Sequence, residues 1–195
     1  MEIRITLIRN GMTKSGKEGR YISTADESLC DEGIQHLEVR KKEGLYPEVK
    51  RLYASGTVRC IETAKLLYDG RLVVLAKELS PYDYGDFEGK THGEIKDDPH
   101  LINWALGESD RLPGAKSPYP AKYEALAAFE RIMLECSERN AGTVAIITHR
   151  QVILSILRER CTPKLAYNHI ALEYGCGVTL VCDILTKSLC VEAMF

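Results

Sequence analysis

Short apolar runs alternate with amphipathic stretches along most of the chain. Runs rich in β-branched residues at Ile3–Arg9, Arg51–Ser55, Leu72–Ala76, Thr143–His149 and Val178–Asp183 predict strands. Between them, apolar positions recur at helical spacing. "CDEGIQHLEVRKKEG" (30–44) has Ile34, Leu37 and Val39 as its apolar positions and Gly44 as its stop. "TVRCIETAKLLYDG" (57–70) opens on a Thr57 cap and sets Val58, Ile61, Ala64 and Leu67 on one face. Residues 119–139 form the longest helical pattern, through Tyr123, Leu126, Phe129, Ile132, Met133 and Cys136. "TVAIITHRQVILSILRER" (143–160) runs a strand directly into a helix bearing Val152, Ile156 and Leu157, with His149 and Arg150 at the junction. This alternation predicts an α/β fold: a mostly parallel central sheet flanked by helices on both faces.

At 195 residues the expectation is one domain, with an insertion of loops and helices at about 81–118 over the site. The stretch "RLPGAKSPYP" (111–120) reads as a loop. A net charge of −2 gives no reason to expect nucleic acid or an anionic membrane as partner. No apolar run is long enough to span a bilayer, and the first residues read as a strand rather than a signal peptide. The seven cysteines are odd in number and contain no C-x-x-C pair, which argues against a disulfide scaffold or a zinc site. Reduced, mostly buried thiols in the cytoplasm are expected instead.

Candidate chemistry gathers at strand ends. "ITLIRNGMT" (5–13) ends its apolar run in Arg9 and Asn10. Asn-Gly often marks a hairpin turn, and on this segment alone that reading stands beside a functional one. Ser55, Gly56 and Thr57 end the second strand, with Arg59 entering the next helix, while His149 and Arg150 end the fourth. Parallel strands would bring all three sets to one sheet edge, where helix N-termini also point outward. Arginines, an imidazole and helix N-termini together make an anion site of phosphate size.

These motifs resemble those of the histidine phosphatase superfamily, the phosphoglycerate mutase-like group, and in particular its small bacterial phosphatases such as α-ribazole phosphatases. "LIRNGMT" resembles the family's Leu-x-Arg-His-Gly-x-Thr, and "GRYISTADESLCDEG" its Gly-Arg-x-x-Gly-x-x-Asp-x-Pro-Leu-Thr-x-x-Gly. "SGTVRCIETA" is similar to Ser-x-x-x-Arg-x-x-Glu-Thr-Ala. "YGDFEG" and "IITHRQVI" resemble Phe-Gly-x-Trp-Glu-Gly and Val-Ser-His-Gly-Gly-Val-Ile. The resemblance implies a phosphohistidine mechanism in such relatives, with a glutamate as proton donor and no cofactor or metal. It assigns phosphate contacts here to Arg9, Arg59 and His149, and the reading of the strand ends adds Arg150, Arg20 and Thr13 as further candidates for holding the phosphate.

The departures fall on the chemistry. Asn10 stands where the resemblance places the nucleophilic histidine, and a carboxamide is a very poor nucleophile that still donates hydrogen bonds. Pro81 stands where it places the acid, with Glu78, Asp83 and Glu88 as alternatives in a different loop register. Arg150 and Gln151 replace two glycines, Gly16 replaces an asparagine, and Lys116 a glutamate. Three functions stay open. The chain could bind a small phosphorylated molecule, or free phosphate or sulfate, with impaired catalysis. It could be a working phosphomonoesterase using His149, or a structural protein with a vestigial pocket; a homodimer also stays open. Trp104, Tyr82 and Tyr119 are candidates for stacking on a ligand ring.

Overall fold

The computed structural model describes residues 2–23, 25–106, 108–109, 111–116, 118–163, 172–183, 186 and 188–195, with backbone alone at 118–120. The strands are β1 (Glu2–Arg9), β2 (Arg51–Ala54), β3 (Val73–Leu75), β4 (Thr143–Thr148), β5 (Gly177–Asp183) and β6 (Ser188–Met194). The helices are α1 (Lys14–Lys17), α2 (Asp31–Lys42), α3 (Val58–Leu67), α4 (His92–Ile95), α5 (Pro99–Leu106), α6 (Pro118–Glu138) and α7 (Arg150–Arg160).

The sheet runs β3-β2-β4-β1-β5-β6. β1, β2, β3 and β4 are mutually parallel, and β5 lies antiparallel to β1. The mostly parallel α/β expectation holds, with β1 and β4 side by side and Arg9 level with Thr148. Asn10-Gly11 is therefore no hairpin turn, because the strands beside β1 are remote in sequence. β6 escaped the sequence reading: of its seven residues only Leu189 is buried, so apolar periodicity hardly marks this edge strand.

Alternation along β1 feeds both faces. Ile3, Ile5 and Leu7 join Val144, Ile146, Phe129, Ile153 and Leu157 in the core beneath α6 and α7. Ile8 joins Leu37, Leu52, Ala64, Leu67 and Ile147 beneath α2 and α3. Each fully buried aliphatic side chain contributes about 1.5–3 kcal/mol, which fixes strand register firmly. The first long helix after β1, α2, thus packs on one face, and α7, which follows β4, on the other. That divergence opens a crevice beyond the carboxyl ends of β1 and β4.

Three local expectations are corrected. Val39 is 52% exposed, and α2 buries Gly33 and Leu37 instead. In α3 the buried residues are Arg59, Cys60, Thr63, Ala64 and Leu67, with Val58 exposed and Ile61 half-buried. The helix is rotated because Arg59 and Thr63 find hydrogen-bond partners inside, a possibility that hydrophobic spacing cannot register. The expected loop at 111–120 ends early, since Pro118 opens α6, where proline's fixed φ suits a first helical turn. Between β3 and α6, Phe87, Ile95, Leu101, Leu112 and Ala115 form a separate small core, with Tyr21, Tyr84 and Trp104 against it.

Candidate active site

A cleft of about 310 Å³ opens at the crevice. Its lining includes Arg9, Asn10, Thr13, Arg20, Arg59, Pro81, His149 and Arg150, so the topology brings these eight sequence-predicted residues to one place.

The β1 end is held by backbone. The Asn10 N–H donates to the Thr148 carbonyl (2.9 Å), and the Gly11 N–H to Thr63 Oγ1 (2.9 Å). Asn10 is buried, and its Nδ2 donates to the Gly11 carbonyl at 2.8 Å. Arg9 donates through Nη1 to the Leu172 carbonyl (2.5 Å), and its guanidinium carbon lies 3.6 Å from the Tyr174 ring centroid. Burial lowers the Arg9 pKa; Tyr174 opposes that shift and the Arg150 charge adds to it.

From α3, Arg59 is only 4% exposed and donates to the Ala25 carbonyl (3.0 Å) and the Ser23 carbonyl (3.2 Å). From the opposite side Glu88 accepts from the Ser23 N–H (2.9 Å), Ser23 Oγ (2.5 Å) and the Ala25 N–H (3.2 Å). Ser23 and Ala25 are thus gripped between a cation and an anion. Thr13 caps α1 by accepting from the Gly16 N–H at 3.1 Å. Arg20 donates to Glu18 (2.7 Å) and to the Gly89 carbonyl (2.8 Å).

His149, 4% exposed at the N-cap of α7, shares a hydrogen bond between Nε2 and Ser55 Oγ (2.9 Å), with Cys60 Sγ at 3.6 Å. Burial, then the charges of Arg59 and Arg9, hold its pKa well below the ordinary histidine value. The imidazole is neutral at neutral pH. Burial also pushes the neighbouring Cys60 thiol up to about 11, which keeps it un-ionised.

Arginines 9, 20, 59 and 150 and histidines 92 and 149 line the cleft, and among the described residues no carboxylate does. The three alternative acids are engaged elsewhere. Glu78 accepts from Arg131 Nη2 at 2.7 Å. Asp83 accepts from the Gly85 N–H (2.8 Å) and the Lys116 N–H (3.1 Å), and Glu88 braces Ser23. Such a lining suits an anion and offers no acidic proton donor.

The family model for the histidine phosphatase superfamily (branch 1) matches residues 5–183. The chain belongs to the histidine phosphatase superfamily. No curated protein sequence matches it significantly. Among solved structures it resembles α-ribazole phosphatase from Shigella flexneri at 22% identity, covering 98% of this chain and 96% of that one, TM-score 0.76. It also resembles phosphoglycerate mutase from Bacillus anthracis at 17% identity, covering 98% and 92%, TM-score 0.80. Phosphoserine phosphatase from Entamoeba histolytica, solved with 3-phosphoglyceric acid, is similar at 20% identity, covering 98% and 96%, TM-score 0.77. At these identities the likeness establishes the phosphoglycerate mutase-like fold.

Sequence reasoning missed part of this superfamily member's cleft. Tyr21, Tyr84, His92 and Tyr174 also line it. Tyr84 lies in the quoted "YGDFEG" motif, but only its contact with Gln151 Nε2 places its hydroxyl at the cleft. Desolvation drives the Tyr84 pKa far up, so the phenol stays protonated. Tyr82 is buried and donates to Ser155 Oγ (2.9 Å), while Trp104 packs behind Tyr84 at 6.3 Å between ring centroids. Neither lines the cleft, and the Tyr119 side chain lies outside the described residues.

Proposed function

We propose that the chain binds a small phosphorylated molecule, or free phosphate or sulfate, and that phosphohistidine turnover is impaired or absent. The observation that carries this reading is Asn10 at the carboxyl end of β1, in an arginine-lined cleft without a carboxylate among its described residues. Arg9, Arg59 and His149 supply the donors for a phosphoryl group, with Thr13 and Arg20 beside them. Asn10 offers a carboxamide where a nucleophile is needed, and its nitrogen lone pair is delocalised into its carbonyl. Pro81 has no proton to give. Losing a general acid alone typically costs about 10²–10⁴ in rate, and losing the nucleophile removes the covalent route.

A modified phosphatase using His149 is the weaker reading. A base works best with a pKa near the operating pH, and this imidazole lies well below it. Its Nε2 is also occupied by Ser55. The test is a thermal-shift titration with inorganic phosphate, sulfate and a panel of phosphate monoesters, run beside an aryl phosphate turnover assay. A ligand at about 100 times its Kd should add about 2.7 kcal/mol of stability. Stabilisation with negligible turnover supports binding. Turnover abolished by His149→Ala overturns it in favour of an enzyme, and no stabilisation at all leaves a vestigial pocket.

A further inference from the structure

Cys60 is a buried thiol that phosphate binding does not itself use. It and Ser55 are both wholly inaccessible, and both face His149 Nε2, at 3.6 Å from Sγ and 2.9 Å from Oγ. The Ser55 hydroxyl has a second partner, Thr57 Oγ1 at 3.1 Å, so its proton can turn either way. The thiol hydrogen is more constrained. Besides Nε2, its polar neighbours are those two hydroxyls, and each carries a proton of its own. The opposite ring nitrogen, Nδ1, makes no hydrogen bond among the described residues, although His149 is 4% exposed and lines the cleft.

A neutral imidazole carries one N–H, and the partner of one nitrogen decides the state of the other. Its bare nitrogen is a strong acceptor, whereas sulfur is a weak one. A protonated Nε2 would set its hydrogen against the thiol and strand the thiol's own hydrogen where water does not reach. A bare Nε2 accepts from the thiol and leaves Ser55 free to donate to it as well. The proton then sits on Nδ1, toward the cleft. The Arg59 and Arg9 charges favour a bare Nδ1 while the cleft is empty, but a phosphoryl oxygen beside it reverses that preference.

Resting on the phosphate-binding reading above, we infer that Cys60 is a positioning residue: with Ser55 it holds Nε2 bare, so that His149 presents Nδ1–H to the phosphoryl group. The imidazole then serves as a neutral donor. Its direction is set from beneath by a thiol that touches no ligand.

Nitrogen NMR of the histidine-labelled protein reads this tautomer, because protonated and bare ring nitrogens resonate far apart. Loaded with inorganic phosphate, the intact protein should show a bare Nε2 and a protonated Nδ1 at His149. Cys60→Ala should move part of the proton to Nε2. By calorimetry it should also weaken phosphate binding about two- to tenfold, the scale of one neutral hydrogen bond. Cys60→Ser returns a donor to the same place and should bring both readings back toward those of the parent. The parent spectrum tests the tautomer even where Cys60→Ala does not fold. A protonated Nε2 in the phosphate-loaded parent overturns the inference and leaves phosphate binding standing. An unchanged tautomer in folded Cys60→Ala overturns it too, and any accompanying loss of affinity then belongs to packing. Failure of the parent to bind phosphate overturns the phosphate-binding reading, and this inference with it.

Discussion

Tyr174 serves Arg9 and Gly16 at once: its ring centroid lies 3.6 Å from the Arg9 guanidinium carbon, and its hydroxyl takes the space a side chain at Gly16 would fill. A Cβ built at Gly16 would sit 2.5 Å from Tyr174 Oη and 2.8 Å from its Cζ. The ring cannot move off without giving up the cation–π contact. Gly16→Ala should therefore destabilise by about 1–3 kcal/mol, the usual scale of overpacking. In a Tyr174→Ala background the same change should cost almost nothing. A double-mutant cycle from urea melts measures the coupling, and strictly additive values would show that Tyr174 yields freely.

Restoring Asn10→His should not restore a fast phosphatase. The imidazole returns the nucleophile, but Pro81 still offers no proton to the departing oxygen. A nitrophenolate leaves without one, so nitrophenyl phosphate turnover should rise most and alkyl phosphate turnover little. Adding Pro81→Glu should help the alkyl ester, within the roughly 10²–10⁴ span of acid catalysis. Fast alkyl turnover by Asn10→His alone would reveal an acid outside the described lining of the cleft.

On the phosphate-binding reading, Arg59 should carry both ligand affinity and structure. Arg59→Ala should weaken phosphate-ester binding by roughly 1.5–3 kcal/mol. It should also lower the melting temperature without ligand, because the Ser23 and Ala25 carbonyls lose their donor. Arg59→Lys should recover part of each. A variant that binds as tightly as the parent while remaining folded would remove Arg59 from the anion site.

His149 should make stability fall on acidification. Folded His149 resists protonation because of its burial and then the Arg59 and Arg9 charges, whereas unfolded histidine takes a proton near its ordinary value of about 6.5. Below that value the unfolded chain binds more protons, so stability declines as pH drops toward the depressed folded pKa. The limiting slope is about 1.4 kcal/mol per pH unit. His149→Gln should remove this contribution, leaving a shallower loss between about pH 7 and about pH 5 in paired denaturant melts. Parallel curves would mean that His149 titrates normally.

The strands that carry the site were legible because β1, β2 and β4 lie between neighbours, with both faces covered, and their apolar runs are continuous. Arg9, Asn10 and His149 could be placed because each ends such a run. The α3 face could not, since Arg59 and Thr63 are polar residues buried by satisfied hydrogen bonds. Nor could the engagement of Glu78, Asp83 and Glu88, which depends on how residues 77–89 meet Arg131, Lys116 and Ser23 in space. Tyr174 was invisible for a similar reason. Nothing in the "EYGCG" that surrounds it points to an arginine near the other end of the chain.

The brace formed by Arg59 and Glu88 around Ser23 and Ala25 has a consequence for how this molecule can change over time. Among the described residues, the brace that maintains this wall of the cleft makes no use of the side chain at position 10, which bonds only to the carbonyl next to it. Selection for holding a ligand and selection for transforming it therefore act on different atoms. A lineage can gain or lose chemistry at position 10 while its receptor keeps the same shape.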